Sequence, residues 1–424
     1  MQLVAVLFVP PPSPRVSAAP LLVGGLSVLE RQARQARRAG ARRIVVVGPL
    51  AWGAAAADTM TVADPAGLAR LLSDDVGVLL FAEGVVLDDR IVRAVAAAAP
   101  AGVALWPASA ARGTERVDAV MSAAGIARYR GAMVREVAAR LGDWDLHSTL
   151  LRTALLEPAT QRIDVSLLPL HVPARRRDVP LTWALPDSTD TAQAATDTLL
   201  AAAETGCLDW PARTLYRPVE DAAVRLLLPT PVTPDMIAAA EAAVALAAVI
   251  AFAAGWLWAG LVLVLVFGLF DGTRGKLTRI RGDVSRIGVP ARVLGEVAEY
   301  GWYAAIAAHF STVSGNAGPW AVAALLAGFA LASRRQAAFF RRFTGGRLDD
   351  AGSFERRFRT VDARRNTLFW TWLPFAVAGA WSTGFGVLAL YAVATFFVMQ
   401  WCFFRRLGDH GRASSAVARQ TTPA

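Results

Sequence analysis

Lysine and cysteine are almost missing from this sequence of 424 residues, and each scarcity excludes a kind of chemistry. Lys276 is the single lysine among 44 basic residues, so most mechanisms that need a lysine amine are excluded. The two cysteines, Cys207 and Cys402, lie far apart, which argues against a disulfide framework or a cysteine metal site. The four histidines are scattered, so a histidine metal centre is not expected either.

The charge of the chain is concentrated in its most apolar part. Hydrophobic residues make up 55% of the sequence, and the mean hydropathy of +0.40 is too high for an ordinary soluble protein. Residues 1–235 contain 24 basic and 24 acidic residues, whereas residues 236–424 contain 20 and 10, so the net charge of +10 lies entirely in the second part. A segment that is both apolar and basic indicates membrane spans with cationic loops, and no nucleic-acid partner is expected.

The first 185 residues alternate short apolar runs with helical patterns, which predicts a Rossmann-like α/β domain with a parallel sheet. The predicted strands are Leu3–Val9, Arg43–Val47, Gly77–Phe81, Val103–Trp106 and one near Ile163–Leu168. The predicted helices are Leu26–Ala39, Pro65–Ser73, Asp88–Ala99 and one or more within 132–156. The first apolar run has no basic residues before it and ends in prolines, so we do not expect a signal peptide.

Six apolar stretches follow, each close to the ~20 residues that cross ~30 Å of hydrocarbon, although the second is short. They cover residues 236–254, 256–270, 289–310, 317–333, 366–383 and 385–403. The loops at 272–292 and 334–365 contain six and ten basic residues, whereas the loops on the other side contain no charge. Because cytoplasmic loops are rich in arginine and lysine, this predicts a multi-pass protein of the plasma (inner) membrane with both termini in the cytoplasm.

Ionisable and aromatic residues stand out within this membrane part. Glu241, Glu296 and Glu299 fall inside or at the ends of predicted spans, where acids are costly and often functional. The arginines of 334–365 have two interpretations that stay open, which are contact with anionic lipid headgroups and charge that only orients the protein. The dense Trp and Phe residues of 366–404 are expected to form aromatic girdles at the membrane interface.

A spaced motif joins the second and third predicted spans. It runs Asp271-Gly272-Thr273-Arg274-Gly275-Lys276-Leu277-Thr278-Arg279, then eight residues, then Gly288-Val289-Pro290-Ala291-Arg292-Val293-Leu294-Gly295-Glu296. The spacing resembles the signature of the CDP-alcohol phosphatidyltransferases, which is Asp, two residues, Asp-Gly, two residues, Ala-Arg, about eight residues, Gly, three residues, Asp, three residues, Asp. The resemblance implies an all-α six-helix transmembrane bundle and transfer of a phosphoalcohol from a CDP-alcohol to a hydroxyl acceptor with release of CMP.

The segments that flank the motif extend the resemblance over about residues 205–405. Trp210–Leu228 has apolar residues at helical spacing with arginines among them, which favours a helix in the membrane interface over an ordinary core helix. This helix and Thr233-Pro234-Asp235 look like the amphipathic lead-in and the entry to the first span of the family. Asp362-Ala363-Arg364, ahead of the fifth span, looks like another recurring element.

Two acids of the family pattern are replaced by arginines in this sequence. Arg274 and Arg292 replace the second and third Asp, and Glu296 replaces the fourth. In the family, four carboxylates hold two divalent cations, and the last carboxylate accepts the proton of the attacking hydroxyl. Because cations replace two of the metal-binding acids, we expect weakened binding of Mg²⁺ or Mn²⁺. The arginines can instead neutralise phosphate oxygens directly. The positions that match the pattern are Asp271, Gly275, Arg279 and Gly288.

Two functions stay open. The first is a degenerate membrane protein of phospholipid or phosphoglycolipid headgroup synthesis, which binds a CDP-alcohol, CMP or a lipid headgroup without two metals. The second is an active CDP-alcohol phosphotransferase, in which Asp271 and Glu296 are metal ligands and catalytic residues and Glu296 is the general base. The residues that the resemblance places at the nucleotide or its phosphates are Arg274, Gly275, Arg279, Gly288 and Arg292.

The opening of the α/β domain resembles a sugar-phosphate nucleotidyltransferase, a domain that occurs fused to CDP-alcohol phosphotransferases. Val4–Val9, Pro20–Gly25 and Arg43–Val47 show the likeness. The family cradles a triphosphate in a Gly-rich loop after the first strand, but the loop here is Pro10–Arg15, and prolines have no N–H to donate. The lysine expected in the second segment is missing, and Val85 stands at the position of a metal-binding Asp. Glu83 and Asp88 are alternatives for that acid, although a surface role is favoured for both. We interpret the domain as degenerate.

These features give an expected domain order and a set of partners. The partners are the lipid bilayer with its anionic lipids, a CDP-linked small molecule, and either a second copy of the chain or an active relative. The expected domains are the nucleotidyltransferase-like domain (1–185), a linker with the interfacial helix (186–235), the six-span membrane domain (236–404) and a disordered cytoplasmic tail (405–424).

Overall fold

The computed structural model describes residues 2–9, 20–48, 59–108, 115–142, 144–283 and 287–421, without the side chains of Arg292, Gly411 and residues 413–421. The described chain divides into two compact units. The first unit comprises Met1–Val172, Asp178–Glu204 and Arg279–Asp283. The second unit comprises Pro173–Arg177, Thr205–Thr278 and Val284–Ala424.

Among the described residues, the first half of the chain contains the strands and six α-helices. The strands are β1 (Leu3–Phe8), β2 (Leu22–Val23), β3 (Leu26–Ser27), β4 (Arg43–Val47), β5 (Thr59–Val62), β6 (Gly77–Phe81), β7 (Val86–Leu87), β8 (Ala101–Pro107), β9 (Met121–Arg130), β10 (Thr160–Asp164), β11 (His171–Val172), β12 (Arg177–Asp178) and β13 (Trp183–Ala184). The helices are α1 (Val28–Arg38), α2 (Pro65–Leu71), α3 (Asp89–Ala97), α4 (Gly131–Arg140), α5 (Leu146–Leu156) and α6 (Thr189–Ala203).

A seven-stranded sheet in the order β10-β8-β9-β6-β1-β4-β5 forms the centre of the first unit. Successive side chains of a strand point to opposite faces, so β1 contributes to two cores at once. Val4 and Val6 pack on one face with residues of α2, α4 and α5, whereas Ala5 and Leu7 pack on the other face with residues of α1 and α3. The sheet is therefore covered by helices on both faces, as expected for an α/β domain.

The prediction of an all-parallel sheet is wrong at β9. This strand pairs antiparallel with both β6 and β8, while β1, β4, β5 and β6 pair in parallel, as do β8 and β10. The sequence gives little sign of β9, because its Ala, Gly and Arg residues have low β-propensity. Every residue from Ala123 to Tyr129 is buried, so the strand also lacks the alternation that marks a half-exposed strand.

The second unit contains long helices whose bounds differ from the predicted spans. Its helices are α7 (Arg217–Leu227), α8 (Pro234–Ala253), α9 (Leu257–Arg281, of which the last residues from Arg279 belong to the first unit), α10 (Gly288–Ser314), α11 (Gly318–Thr344), α12 (Ser353–Phe358), α13 (Arg365–Val377) and α14 (Trp381–Thr421). The first part of the motif, from Asp271 to Arg279, was expected to lie in a loop and is inside α9 instead, whereas its second part begins α10. Gly379, between α13 and α14, has a positive φ of 70°, a conformation that glycine adopts without strain. The helix of the predicted fifth span, 366–383, therefore ends at Val377.

Among the described residues, three helices are long and apolar enough to cross a membrane. They are Pro234–Ala253, Leu257–Arg281 and Trp381–His410, with mean hydropathies of 2.2, 1.6 and 1.9. The chain is thus a mixed α/β sheet unit joined to a helical unit with three candidate membrane spans.

Aromatic side chains form the core of the helical unit. Trp302, Phe369 and Trp372 are fully buried, and the indole N–H of Trp302 donates to the carbonyl of Ala245 at 2.9 Å. The interpretation of the aromatics in 366–404 as interface girdles is therefore wrong for Phe369, Trp372 and Phe385, which pack in this core. A composition count cannot separate lipid-facing from core-facing aromatics, because both settings favour these large rings.

A buried carboxylate ties α12 to α14. Glu355 is fully buried and accepts hydrogen bonds from Arg405 at 2.6 Å and from both Nε and Nη2 of Arg406 at 2.8 Å. Burial alone would raise the pKa of Glu355, but these arginines outweigh burial and lower it to about 2. The segment predicted as a disordered tail from residue 405 is helical through Thr421, and this clamp fixes its first turn.

We expect Glu355→Gln to lower the free energy of unfolding by about 2 to 3 kcal/mol, because charged hydrogen bonds to a buried group are lost. The contribution of ionised Glu355 to the free energy of unfolding is present above its ordinary pKa of 4.5 and is lost as the pH falls from 4.5 towards 2. Thermal unfolding in detergent between pH 7 and pH 3 should therefore show this acid-dependent component in the wild type and not in the variant. Asp409→Asn is the control, since its exposed carboxylate lies 3.9 Å from Arg406. Equal melting temperatures for all three proteins would contradict the expectation.

Candidate functional site

The candidate site centres on an arginine that lies between two carboxylates. Asp271 and Arg274 are three residues apart on α9, so they lie on the same helix face. Arg274 donates from Nη2 to Asp271 Oδ1 at 2.7 Å and from Nε to Glu241 Oε2, on α8, at 2.8 Å. The guanidinium therefore bridges two helices through two charge-assisted hydrogen bonds.

The two acids of this bridge differ in exposure. The side chain of Glu241 is 4% exposed and that of Arg274 is 14% exposed, whereas that of Asp271 is 47% exposed. A buried carboxylate is costly unless it is paired, so the Glu241–Arg274 pair is the fixed part of the site. Asp271 can exchange its partner for water or for a ligand at a lower cost.

A second arginine completes the group. Nη2 of Arg365, the first residue of α13, lies 3.5 Å from Asp271 Oδ2, and the guanidinium carbon lies 4.4 Å from the centre of the Phe267 ring. Gly295 lies beside this pair, because a Cβ there would approach Phe267 Cζ to 3.0 Å. Nε of Arg365 is buried, and among the described residues it has no hydrogen-bond partner. A buried donor without a partner costs free energy, so Nε of Arg365 is an unsatisfied polar atom of this group.

The predicted pair of Asp271 and Glu296 lies on two helices, α9 and α10. Glu296 is exposed, and no contact between it and Asp271 is found among the described residues. Its buried neighbour Glu299 accepts a hydrogen bond from Tyr303 at 2.8 Å and forms an ion pair with Arg334. The acid that is neutralised within α10 and α11 is therefore Glu299, while Glu296 faces outward.

The remaining predicted residues have varied settings. Gly275 lies in α9, and Gly288 is the first residue of α10. Arg279 belongs to the first unit and donates from Nε to the carbonyl of Ala203 at 2.6 Å. The backbone of Arg292 is helical, but its side chain lies outside the described residues.

The single lysine belongs to a neighbouring pair of acids. Lys276 Nζ lies 2.6 Å from Asp221 Oδ1 and 3.0 Å from Glu220 Oε2, both on α7. The Glu220 carboxylate packs directly against Gly272, where a Cβ would clash with it. The helix that was predicted to lie in the membrane interface is thus bonded to α9 by ion pairs of a buried ammonium.

Sequence reasoning missed two residues of the site. Glu241 was noted only as an acid within a predicted span. The feature of the sequence that could have linked it to the site is its position on the helix that precedes the motif. Arg365 follows the noted Asp362-Ala363-Arg364 element by one residue and was not singled out. Neither could be linked to Asp271 without knowing which helices pack together.

The ten arginines of 334–365 have a third role beside the two left open. Six of them form ion pairs with acids of the second unit, namely Arg334, Arg347, Arg356, Arg359, Arg364 and Arg365. Asp349, for example, accepts from Arg176 at 2.9 Å and lies 3.2 Å from Arg359. Much of this positive charge is therefore internal.

The described part of the first unit gives little support to a nucleotidyltransferase site. The Pro10–Arg15 loop lies outside the described residues, and Val85, at the position of the metal-binding Asp, is fully buried. Asp88 caps α3 and accepts from Arg90 Nε at 2.9 Å. Burial would raise the pKa of Asp88, but the Arg90 bonds outweigh burial and hold that pKa below its ordinary value. Asp88 is therefore engaged as a structural anion.

The acids of the candidate site do not fit a pair of divalent cations. Both oxygens of Asp271 face arginines, and two guanidinium charges balance the two carboxylates of Asp271 and Glu241. Among the described residues, no group of three or more His, Cys, Asp or Glu side chains is placed to hold a metal ion. The cations that neutralise these carboxylates are therefore internal to the chain.

No family model matches the chain, and no curated protein matches it. Solved structures similar to part of it include Mycobacterium tuberculosis phosphatidylinositol phosphate synthase in three forms. The form with CDP-DAG bound is 20% identical at a TM-score of 0.35, over 45% of this chain and 94% of that chain. The apo form is 20% identical at 0.32, over 44% and 95%. The form with manganese and citrate is 22% identical at 0.33, over 45% and 89%. At these values the similarity establishes neither a family nor an activity for this chain.

We expect Arg274→Gln to destabilise the protein by about 3 kcal/mol, because Glu241 would stay buried without its charged partner. The double variant Arg274→Gln/Glu241→Gln should recover most of that loss, since two amides can hydrogen-bond without a buried charge. Thermal unfolding of the purified proteins in detergent measures both effects. Equal stability of the wild type and the single variant would show that the bridge contributes nothing.

Proposed function

We propose that this protein is a CDP-alcohol phosphatidyltransferase-like membrane protein of phospholipid or phosphoglycolipid headgroup synthesis. Its site binds the phosphates of a CDP-linked small molecule or a lipid headgroup through arginines, without a pair of metal ions. The observation that supports this most directly is the position of Arg274, whose guanidinium joins Asp271 and Glu241 where a metal-dependent relative would have another acid.

The geometry supports exchange of one anion for another. Asp271 is half-exposed and holds Nη2 of Arg274 and Nη2 of Arg365, while Nε of Arg365 is buried without a partner among the described residues. A phosphate that replaces Asp271 would accept from both guanidinium groups, which match phosphate oxygens in a bidentate manner. Glu241 would keep Arg274 in place during this exchange.

Several wider predictions belong to the same proposal. We infer a six-span bundle formed by α8 to α11, α13 and α14, inserted in the plasma membrane with cytoplasmic termini, as the charge of the loops favours. The partners are anionic lipids, a CDP-linked ligand, and a second copy or an active relative. Gly275, Arg279, Gly288 and Arg292 remain candidate contacts of the nucleotide.

We expect CDP to bind the purified protein equally well with Mg²⁺ and with EDTA, as measured by calorimetry in detergent. Arg365→Gln should weaken binding about tenfold or more, because a charged hydrogen bond to phosphate contributes about 1.5 to 3 kcal/mol. Arg335→Gln on α11 is the matched control, since Arg335 is exposed and lies outside the site. Binding that disappears in EDTA would contradict the proposal.

The same preparation separates the binding function from the active-enzyme alternative. Release of CMP from CDP-alcohols in the presence of a lipid hydroxyl acceptor, lost in Glu296→Gln, would establish the enzyme. Absence of CMP release beside EDTA-resistant CDP binding supports the binding protein.

We also expect Arg274→Asp/Arg292→Asp to gain Mn²⁺ binding that the wild type lacks, because it restores four acids at the family's positions. Mn²⁺ should raise the melting temperature of this variant and leave that of the wild type unchanged. Arg335→Asp/Arg341→Asp controls for added negative charge away from the site. A wild type that Mn²⁺ stabilises as strongly as the variant would contradict the internal-cation interpretation.

A further inference from the structure

Two consecutive arginines of α11 have opposite settings within the second unit. Arg334 donates from Nη1 to the hydroxyl of Tyr300 at 2.5 Å and forms an ion pair with Glu299, and both partners lie on α10. Arg335 is exposed, and among the described residues its guanidinium has no hydrogen bond or ion pair. Consecutive residues of a helix point about 100° apart, so α11 directs Arg334 towards α10 and Arg335 away from it.

Arg335 shares its side of α11 with two exposed phenylalanines and a second free arginine. Phe339, Arg342 and Phe343 follow it by four, seven and eight residues, a spacing that puts all four on one helix face. Phe339 is 54% exposed and Phe343 is 61% exposed. Arg342 is exposed, and its guanidinium likewise has no hydrogen bond or ion pair in the described part of the chain. We name Arg335, Phe339, Arg342 and Phe343 the α11 outer face.

The rings of the outer face are held by each other and by α14. Phe339 and Phe343 stack with their centres 6.1 Å apart and an angle of 6° between their planes. The ring of Phe339 also lies 5.9 Å from that of Phe403, and the ring of Phe343 lies 6.0 Å from the imidazole of His410. Side chains that are already ordered lose little entropy when a ligand covers them. The outer face is therefore a preformed apolar surface flanked by two cations.

The outer face begins at the depth where the hydrocarbon of a bilayer ends. Gln336 of α11 donates to Gln400 of α14 at 2.6 Å, so these two residues are level. Gln400 is 19 residues, about 28 Å, from Trp381 at the start of α14. Tryptophan favours the membrane interface and hydrocarbon is about 30 Å thick, so a layer that begins at Trp381 ends near Gln400. Arg335, next to Gln336, therefore lies at the level of the lipid headgroups.

An anionic phospholipid matches this face in charge and in its apolar part. Phe339 lies four residues after Arg335 and three before Arg342, so both arginines are its neighbours on the helix surface. A phosphate above this ring would accept hydrogen bonds from two guanidinium groups, which match phosphate oxygens in a bidentate manner. A zwitterionic headgroup would bring its own cation towards two arginines, and a soluble phosphate has no apolar part for the rings to contact.

We propose that the α11 outer face is a binding site for an anionic phospholipid and that it shares no residue with the candidate site. Arg335 and Arg342 bind the lipid phosphate, and the rings of Phe339 and Phe343 contact the glycerol backbone and the first carbons of the acyl chains. The inference rests on the membrane insertion that belongs to the proposed function, and it does not depend on the binding of CDP.

The test follows the reactivity of individual arginines in the full-length protein. Phenylglyoxal, which modifies arginine, is applied to delipidated protein in an uncharged detergent, and mass spectrometry gives the rate at each position. We expect added dioleoyl phosphatidylglycerol to slow modification of Arg335 and Arg342 about tenfold. Dioleoyl phosphatidylcholine and glycerol 3-phosphate should slow neither. Arg341 and Arg357 are the internal controls, since both are exposed, have no ion pair among the described residues and lie outside the face.

Two variants that remove the same charge separate the face from a general attraction of anions. Native mass spectrometry of the titrated protein gives the apparent Kd of phosphatidylglycerol. Arg335→Gln/Arg342→Gln should raise this Kd about tenfold or more, because charged hydrogen bonds to the phosphate are lost. Arg341→Gln/Arg357→Gln should leave it unchanged. Phe339→Ala should raise it about fivefold, because apolar contact with the lipid is lost. All these side chains are exposed, so the variants should melt at the wild-type temperature.

Four results would overturn the proposal. Equal protection of Arg341 and Arg357 would leave only a diffuse attraction between cationic segments and anionic micelles. Equal protection by phosphatidylcholine or glycerol 3-phosphate would show that no anionic lipid is recognised. Slow modification of Arg335 and Arg342 without lipid, which becomes faster on dilution, would assign the face to a second copy of the chain. Protection of Arg365 alone would reject this site and support lipid binding at the candidate site. Failure of CDP to bind changes none of these rates, so failure of the proposed function is distinguishable.

Discussion

The bridge of Arg274 between Glu241 and Asp271 is the interaction on which the candidate site depends. A buried acid among apolar helices must be neutralised, and here the guanidinium of Arg274 does so. A guanidinium stays protonated at any physiological pH and cannot be removed by a chelator. The positive charge of this bridge is therefore set by the sequence.

Local patterns predicted the layered α/β half and the apolar helices, and contacts between distant segments account for the errors. β1, β4, β6 and β8 are runs of buried β-branched and aliphatic residues, which a periodicity argument detects. β9 escaped because neither composition nor alternation marks it. In the site, the resemblance of the motif singled out Asp271 and Arg274, whereas Glu241 and Arg365 come from α8 and α13. Their convergence depends on helix packing, which no single-sequence pattern specifies.

The arginine content, first a matter of membrane topology, has a second explanation in the structure. Arginines pair with Glu299, Asp349 and Glu355 in the helical unit. Arginine suits these settings because its planar fork can satisfy two acceptors at once and does not lose its charge when buried. Lysine occurs once, at a place where its point charge meets two carboxylates.

The length of α14 has a consequence for what stands above the bilayer. The apolar helix Trp381–His410 has 30 residues and measures about 45 Å, against about 30 Å of hydrocarbon. Arg405 and Arg406 are too costly to bury in hydrocarbon, so the excess helix length of about 15 Å extends beyond the bilayer at the end of α14 that carries them. The hydrogen bonds of Glu355 attach α12 to that end of α14, so this short polar helix is held beside the bilayer surface.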